Sequence, residues 1–222
     1  MPSKPSQLTE ITQEKVILVE GEDEVNFFEA LLNHLGLANI QIIQVGGKDQ
    51  FRVEFPTFLT FPNINKVTAY AIIRDADTSD KATFESIRKL LYEKLQPCPQ
   101  QQGQFASSAS LKVGVFIMPG NAETGMLENL CLQTVVDHPI IPCVESFMNC
   151  LKGKLERKKP EELRDEGKAY YPKNEHKAKV QAFLAGMYET TVSLGLAAKK
   201  GYWPFDHMAL ANLRNFLKKL GE

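Results

Sequence analysis

Residues 16–24 read VILVEGEDE, an apolar segment that runs directly into a glutamate, a glycine and three further acids. The four apolar residues show no polar alternation, which predicts a strand buried on both faces, as in a parallel sheet. The acids follow at the point where that strand ends. Like charges at this spacing repel and raise one another's pKa values unless a cation or a basic group lies among them. The stretch therefore predicts either a solvated helix start or a site that binds something positive.

The rest of the chain alternates between predicted strands and amphipathic helices. The predicted strands span residues 15–19, 40–45, 67–73 and 113–118. The predicted helices span residues 23–37, 50–59, 79–96, 124–135, 143–156, 174–194 and 206–220. Alternation of this kind predicts right-handed βαβ units and a mainly parallel sheet. The Gln- and Ser-rich residues 98–110 show no periodicity, which predicts an exposed, mobile loop.

The predicted fold class is therefore α/β, with a mainly parallel four-stranded sheet flanked by helices. We expect residues 1–136 to form this domain and residues 137–222 to form a helical C-terminal region packed on it.

The composition is that of an ordinary globular protein, with 222 residues, 43% of them hydrophobic and 24% charged. No apolar run approaches the roughly 18 residues that cross a bilayer, and the first residues lack the apolar segment of a secretory signal. The four cysteines show neither a CxxC pair nor the spacing of zinc ligands. We therefore expect a cytoplasmic protein with reduced thiols and no membrane association.

The charges are divided unevenly along the chain. Residues 1–150 carry 11 basic and 18 acidic residues and a net charge of −7, whereas residues 151–222 carry 15 and 9 and a net charge of +6. A basic C-terminal region could dock a phosphate backbone beside an acidic, metal-loaded site. Alternatively, the two halves simply attract each other, and the sequence leaves both interpretations open.

Three of the four predicted strands end in residues suited to a site. The first ends in Glu20-Gly21, the second in Gly46-Gly47-Lys48 and the third in Asp75-x-Asp77. Functional groups of open parallel sheets collect at the carboxyl ends of the strands, so these residues are expected to lie together. Carboxylate oxygens of this kind select Mg²⁺ or Mn²⁺ over zinc. A bound divalent cation would make the excess of negative charge a requirement.

Val-Glu-Gly at the end of the first strand and Asp-Ala-Asp at the end of a later one resemble the Toprim domain. That domain is shared by topoisomerases, bacterial primases, recombination-associated proteins and OLD (overcoming lysogenization defect) nucleases. The resemblance covers roughly residues 14–120. It implies that Glu20 acts as general acid or base and that Asp75 and Asp77 hold Mg²⁺ or Mn²⁺.

The finer pattern resembles the OLD-type branch and small stand-alone bacterial Toprim proteins. Residues 20–24, EGEDE, fit the VEGxxE form, which implies that Glu24 joins the metal site. The branch also has a later acid, here Glu128 with Glu123 as competitor. It further has a lysine toward the C-terminal side, here Lys177 with Lys179 as the alternative.

Two basic residues are candidates for contact with substrate. Lys48 either meets a phosphate or belongs to a stretch whose glycines merely shape a turn. Arg74 either contacts a phosphate or pairs with Asp75. The chain departs from the larger Toprim proteins because it has no GxxxxGK[ST] phosphate loop and no tyrosine in a recognisable nucleophile setting.

Together these features predict a Mg²⁺- or Mn²⁺-dependent enzyme that cleaves phosphodiester bonds, a nuclease or nickase acting on DNA or RNA. Two alternatives stay open: a primase-type nucleotidyl transferase, and a non-catalytic regulatory or nucleic-acid-binding subunit of a larger complex. Nucleic acid is the expected partner. A separately encoded ATPase or DNA-binding subunit and a second copy of the chain are further candidates.

Overall fold

A computed structural model describes residues 10–156, 164–165, 168–169 and 171–222. The strands are β1 (Lys15–Val19), β2 (Ile40–Gln44), β3 (Ala69–Asp75), β4 (Gln104–Ser107), β5 (Lys112–Met118), β6 (Arg164–Asp165) and β7 (Lys168–Ala169). The helices are α1 (Glu22–His34), α2 (Lys48–Phe58), α3 (Asp80–Glu93), α4 (Leu127–Thr134), α5 (Ile141–Glu156), α6 (Glu175–Ala185), α7 (Leu194–Lys199) and α8 (Ala211–Gly221). Among the helices in these ranges, none combines the length and the apolar character needed to cross a membrane.

The main sheet has the strand order β2-β1-β3-β5-β4, and only β4 is antiparallel to its neighbour. The strand β1 lies between β2 and β3, with Val16 opposite Gln41 on one side and Tyr70 on the other. The expected α/β fold with a mainly parallel sheet is confirmed, and all four predicted strands are present. Because β1 and β3 are adjacent and parallel, their carboxyl ends meet at one edge of the sheet.

Helices cover both faces of the sheet. Successive side chains of a strand point to opposite faces, so both sets are buried. Ile17 and Val19 face a core shared with α1, α4, α6, α7 and α8. Val16 and Leu18 face a second core, formed with α2 and α3. This double coverage explains why β1 is apolar from Val16 to Val19.

The fifth strand, β4, lies within the stretch that was predicted to be an exposed loop. Its anchor is Phe105, which packs over Gly114 of β5 and stacks on Phe216 of α8 with ring centroids 4.6 Å apart. A Cβ at Gly114 would lie 2.4 Å from the ring of Phe105. The packing of Phe105 against Gly114 and Phe216 thus stabilises a polar segment as a strand of the sheet. Because these contacts are tertiary, the local periodicity of the sequence does not predict them.

The helix predicted for residues 174–194 is interrupted. The helix α6 ends at its C-cap Gly186, and α7 begins only after Ser193, whose hydroxyl accepts a hydrogen bond from the Leu196 amide at 3.1 Å. The intervening residues include Thr190-Thr191-Val192, whose branched side chains are poor helix formers. The C-terminal helices therefore form separate short elements that can follow the curvature of the core.

The described residues of the C-terminal region share the core of the sheet. Trp203 is buried, stacks on Phe183 and donates a hydrogen bond to the carbonyl oxygen of Leu194 at 3.0 Å. At the opposite end, the ammonium groups of Lys15 and Lys112 donate to carbonyl oxygens in the last turn of α8. Cations at this position also interact favourably with the helix dipole.

The helices α1 and α7 pack closely at Gly195. A Cβ there would lie 2.5 Å from the carbonyl oxygen of Asp23 and 2.6 Å from the Cβ of Asn26. The carboxylate of Asp23 also accepts a hydrogen bond from the Gly195 amide at 3.0 Å. Asp23 therefore ties α1 to α7.

We predict that Gly195→Ala lowers the free energy of unfolding by about 2 kcal/mol, since overpacking a close contact typically costs about 1–3 kcal/mol. Urea denaturation would measure this change. Gly153→Ala is the matched control, because Gly153 also lies in a helix but an added Cβ meets nothing within 4 Å. That control should gain about 0.5–1 kcal/mol from helix propensity. Equal stability of Gly195→Ala and the wild type would contradict the close α1–α7 contact.

Candidate functional site

The carboxyl ends of β1 and β3 place Glu20 and Asp75 at the same edge of the sheet. Asp75 is the last residue of β3 and faces α4, where one of its carboxylate oxygens accepts a hydrogen bond from the Leu127 amide at 3.0 Å. Leu127 is the first residue of α4, whose N-terminus therefore points at the carboxylate.

Asp75 lies at the centre of a group of acids. Burial is the main reason that the pKa of Asp75 is raised well above its ordinary value, and the charges of Glu20, Glu24 and Glu128 raise it further. The hydrogen bond from Leu127 opposes this effect without cancelling it. We call these four residues, Glu20, Glu24, Asp75 and Glu128, the acidic cluster.

Glu24 reaches the acidic cluster from the first turn of α1. Its side chain folds back over Gly21, so that a Cβ at Gly21 would lie 2.9 Å from a carboxylate oxygen of Glu24. Burial raises the pKa of Glu24, and the charges of Glu20, Glu128 and Asp23 add to the effect. The glycine of the Val-Glu-Gly sequence therefore leaves room for the second glutamate.

Glu128 and Lys177 complete the arrangement from α4 and α6. The ammonium nitrogen of Lys177 lies 3.5 Å from a carboxylate oxygen of Glu128. The pKa of Lys177 is raised chiefly by Glu128, with smaller contributions from Asp75 and Glu24. The carboxamide of Asn174 accepts a hydrogen bond from the Lys177 amide at 3.0 Å and so fixes the start of α6.

The structure separates these two residues from their competitors. Glu123 is exposed and lies 3.9 Å from the ammonium nitrogen of Lys81. Lys179 is held by Glu145 at 3.0 Å and by Glu175 at 3.1 Å. Of each pair of candidates, only Glu128 and Lys177 take part in the acidic cluster and its counter-charge.

Arg74 has a different partner from the expected Asp75. Its Nε donates to a carboxylate oxygen of Glu20 at 2.6 Å, and the residue is only 4% exposed. Successive residues of a strand face opposite sides, so Arg74 and Asp75 cannot share one face. The other oxygen of Glu20 lies 3.5 Å from the place of a Cβ at Gly47, the N-cap of α2.

Two predicted site residues lie at the edge of this arrangement. Asp77 is exposed, has a left-handed φ of 52°, and pairs through its amide and carbonyl with Gly125. Within the described residues, its carboxylate has neither a hydrogen bond nor an ion pair. Lys48 is the first residue of α2, and its side chain lies outside the described part of the structure.

The carboxylate oxygens of the acidic cluster are suitable ligands for a hard divalent cation, but their present positions do not form a coordination sphere. Within the described ranges, no three His, Cys, Asp or Glu side chains converge closely enough to hold an ion as they stand. Carboxylates at this edge repel one another when ionised, and a cation among them would offset that repulsion. The donor set of carboxylate oxygens suits Mg²⁺ or Mn²⁺, and side-chain rotation would have to bring the ligands together.

Asp75→Asn tests whether the acidic cluster is under electrostatic strain in the metal-free protein. Because the pKa of Asp75 is higher in the folded state than in the unfolded state, the wild type loses stability as the pH rises from the unfolded-state pKa through the folded-state pKa. Asparagine keeps an acceptor for the Leu127 amide but removes the charge. In EDTA, we therefore expect the stability of Asp75→Asn relative to the wild type to increase from pH 5 to pH 8.

Urea denaturation at the two pH values measures this difference. Asp77→Asn is the matched control, because it makes the same change at an exposed position outside the acidic cluster, and its effect should be smaller than that of Asp75→Asn. A pH-independent difference for Asp75→Asn would contradict the strained cluster.

The chain has relatives by sequence and by structure. Its residues 14–222 match the family model described as "Protein of unknown function (DUF3226)", whereas no curated protein matches. The chain is similar to the C-terminal region of the Burkholderia pseudomallei OLD protein, with 14% identity, a TM-score of 0.49 and coverage of 96% of this chain and 100% of that one. It is also similar to the C-terminal region of the Xanthomonas campestris pv. campestris OLD protein, with 17% identity, a TM-score of 0.41 and coverage of 95% of both chains. Similarity at this level assigns no role to a residue, but the match over residues 14–222 shows that the chain belongs to the DUF3226 family.

Proposed function

We propose that the protein is a Mg²⁺- or Mn²⁺-dependent enzyme that cleaves phosphodiester bonds in nucleic acid, using a Toprim-type site. The observation that carries the proposal is the placement of Glu20, Glu24, Asp75 and Glu128 at one edge of the sheet, although they come from three separate parts of the chain. The charges of the three glutamates raise the pKa of Asp75. These are residues to which the Toprim resemblance assigns the general acid or base and the metal ligands. Four mutually repelling acids at one edge of a sheet are costly for folding alone, which supports a role in binding a cation.

The ion would be held by Asp75, Glu24 and Glu128, with Asp77 supplying a further carboxylate from the edge of the site. When bound, the ion supplies charge neutralisation and polarisation of the phosphoryl oxygen. The hydrogen bond from Leu127 to Asp75 keeps that carboxylate oriented at the strand end. Gly21 keeps the path of the Glu24 side chain open.

Glu20 is the candidate for proton transfer. Arg74 holds one of its carboxylate oxygens at 2.6 Å, and the absent side chain of Gly47 leaves space beside the other. A carboxylate fixed through one oxygen can accept or donate a proton through the second without losing its position. Arg74 would therefore act on the reaction by positioning Glu20.

Lys177 is the candidate for neutralising charge on the phosphate. Its side chain is 62% exposed, yet its ammonium group lies next to Glu128. A cation in this position can turn from the carboxylate toward a substrate phosphate while it stays in the site.

We predict that Glu20→Gln cleaves supercoiled plasmid and single-stranded DNA or RNA at least about 100-fold more slowly than the wild type in Mn²⁺, since general acid–base catalysis typically contributes about 10²–10⁴-fold. Calorimetric titration should still show Mn²⁺ binding to this variant, whereas Asp75→Asn should lose both binding and cleavage. Glu123→Gln is the matched control, because Glu123 is an exposed glutamate outside the acidic cluster. It should behave as the wild type in both measurements.

Each other outcome has a definite meaning. Absence of Mn²⁺ binding to the wild type would overturn the proposed function. Equal cleavage by the wild type and Glu20→Gln would show that a contaminant or a different site is responsible. Metal binding without cleavage would favour a non-catalytic subunit, and incorporation of added nucleotides into the product would favour a primase-type transferase.

A second prediction concerns the lysine. Lys177→Ala should slow cleavage by about 10- to 100-fold, because it removes a charge that acts on the developing phosphate charge. Lys179→Ala removes the same charge from the same helix but from a side chain held by Glu145 and Glu175, and it should leave the rate unchanged. Single-turnover rates at saturating Mn²⁺ measure the difference. Equal effects of the two substitutions would mean that general charge, not the position of Lys177, matters.

A further inference from the structure

A second site candidate lies on the other face of the sheet, where Arg74 borders a cavity between α2 and α3. The cavity has a volume of about 230 Å³. Its charged and polar lining residues are Arg52 on α2, Arg74 on β3, and Ser86, Lys89 and Glu93 on α3. Three cations thus face one carboxylate, although the chain as a whole has a net charge of −1.

Arg74 is a buried residue that lines this cavity. Its Nε is used by Glu20, and its guanidinium lies over the ring of Phe51 with Cζ 5.1 Å from the ring centroid. Within the described residues, the two terminal guanidinium nitrogens have no hydrogen-bond partner, and the side chain borders the cavity. The Arg74 side chain, which is only 5% exposed, therefore has hydrogen-bond donors available for a ligand in the cavity.

The chemistry of the cavity selects an oxyanion. Guanidinium groups bind phosphate through paired N–H donors, and a low-dielectric setting strengthens such bonds. Phe51 and Leu90 supply apolar walls beside Arg74. The volume is below the roughly 300–1,000 Å³ of pockets for drug-sized ligands, and it suits a phosphate group with a few waters.

We propose that this cavity is a phosphate-binding subsite, in which Arg74, Arg52 and Lys89 hold a phosphate group on the side of Glu20 away from Asp75. Arg74 would bind Glu20 through Nε and the phosphate through its terminal nitrogens at the same time. Free inorganic phosphate and the 5′-terminal phosphate of a nucleic acid share this chemistry. The second source rests on the proposed function, because it places the end of a nucleic-acid substrate beside the acidic cluster.

Binding of inorganic phosphate to the metal-free protein tests the subsite without any cleavage. In EDTA, ³¹P line broadening or calorimetry should show saturable binding to the wild type at millimolar phosphate. The double variant Arg52→Ala/Lys89→Ala should weaken it by about tenfold or more, because two charge-assisted contacts are lost. Lys81→Ala, which removes a cation from α3 outside the cavity, is the matched control and should change the affinity by less than about twofold.

The oligonucleotide arm identifies the source of the phosphate. Tighter binding of a 5′-phosphorylated oligonucleotide than of its 5′-hydroxyl counterpart, lost in the double variant, assigns the subsite to a nucleic-acid end. Binding of inorganic phosphate without that preference assigns it to a free anion. The proposal is overturned if the wild type binds neither probe, or if the double variant, with an unchanged urea midpoint, binds both as tightly as the wild type. All of these results are independent of metal binding and cleavage, so the proposed function can fail while the subsite stands, and the reverse.

Discussion

The parallel pairing of β1 with β3 is the constraint on which the rest of the molecule depends. It places the carboxyl ends of both strands at one edge of the sheet, so Glu20 and Asp75 lie near each other although they are far apart in the sequence. The helices α1 and α4 begin at the same edge and bring Glu24 and Glu128 with their first turns. Among the described side chains, Arg74 and Lys177 are the cations that form ion pairs with this group of acids.

Arg74 and Asp75 are neighbours on β3, but their side chains lie in different environments. The alternation of side chains sends Asp75 toward the acidic cluster and Arg74 toward the cavity between α2 and α3. Because Arg74 holds Glu20, the buried cation on one face fixes an acid that takes part in the cluster on the other. The ion pair between Arg74 and Glu20 therefore links the charged groups on the two faces of the sheet, and Arg74 is almost completely buried.

The sequence predicted strands and helices correctly where their formation depends on residues close together in the chain. Largely apolar runs predicted the central parallel strands β1, β3 and β5, because burial on both faces leaves little place for polar residues. The strand β4 was missed because Phe105 depends on Gly114 and Phe216, which belong to distant elements. The break between α6 and α7 had a signal in Thr190-Thr191-Val192 and Ser193, but the apolar periodicity on either side of it concealed the interruption.

For the candidate site, the sequence by itself determined which acids stand at strand ends and helix starts, since these positions follow from the order of strands and helices along the chain. The tertiary structure decided which of them meet. It brought Glu128 and Lys177 together in preference to Glu123 and Lys179, and it gave Arg74 to Glu20. It also left Asp77 exposed and lined a cavity with Arg52 and Lys89, which carry no motif. The physical reason is that a side chain's role depends on strand order, face and helix packing, which are long-range properties that no local stretch of sequence contains.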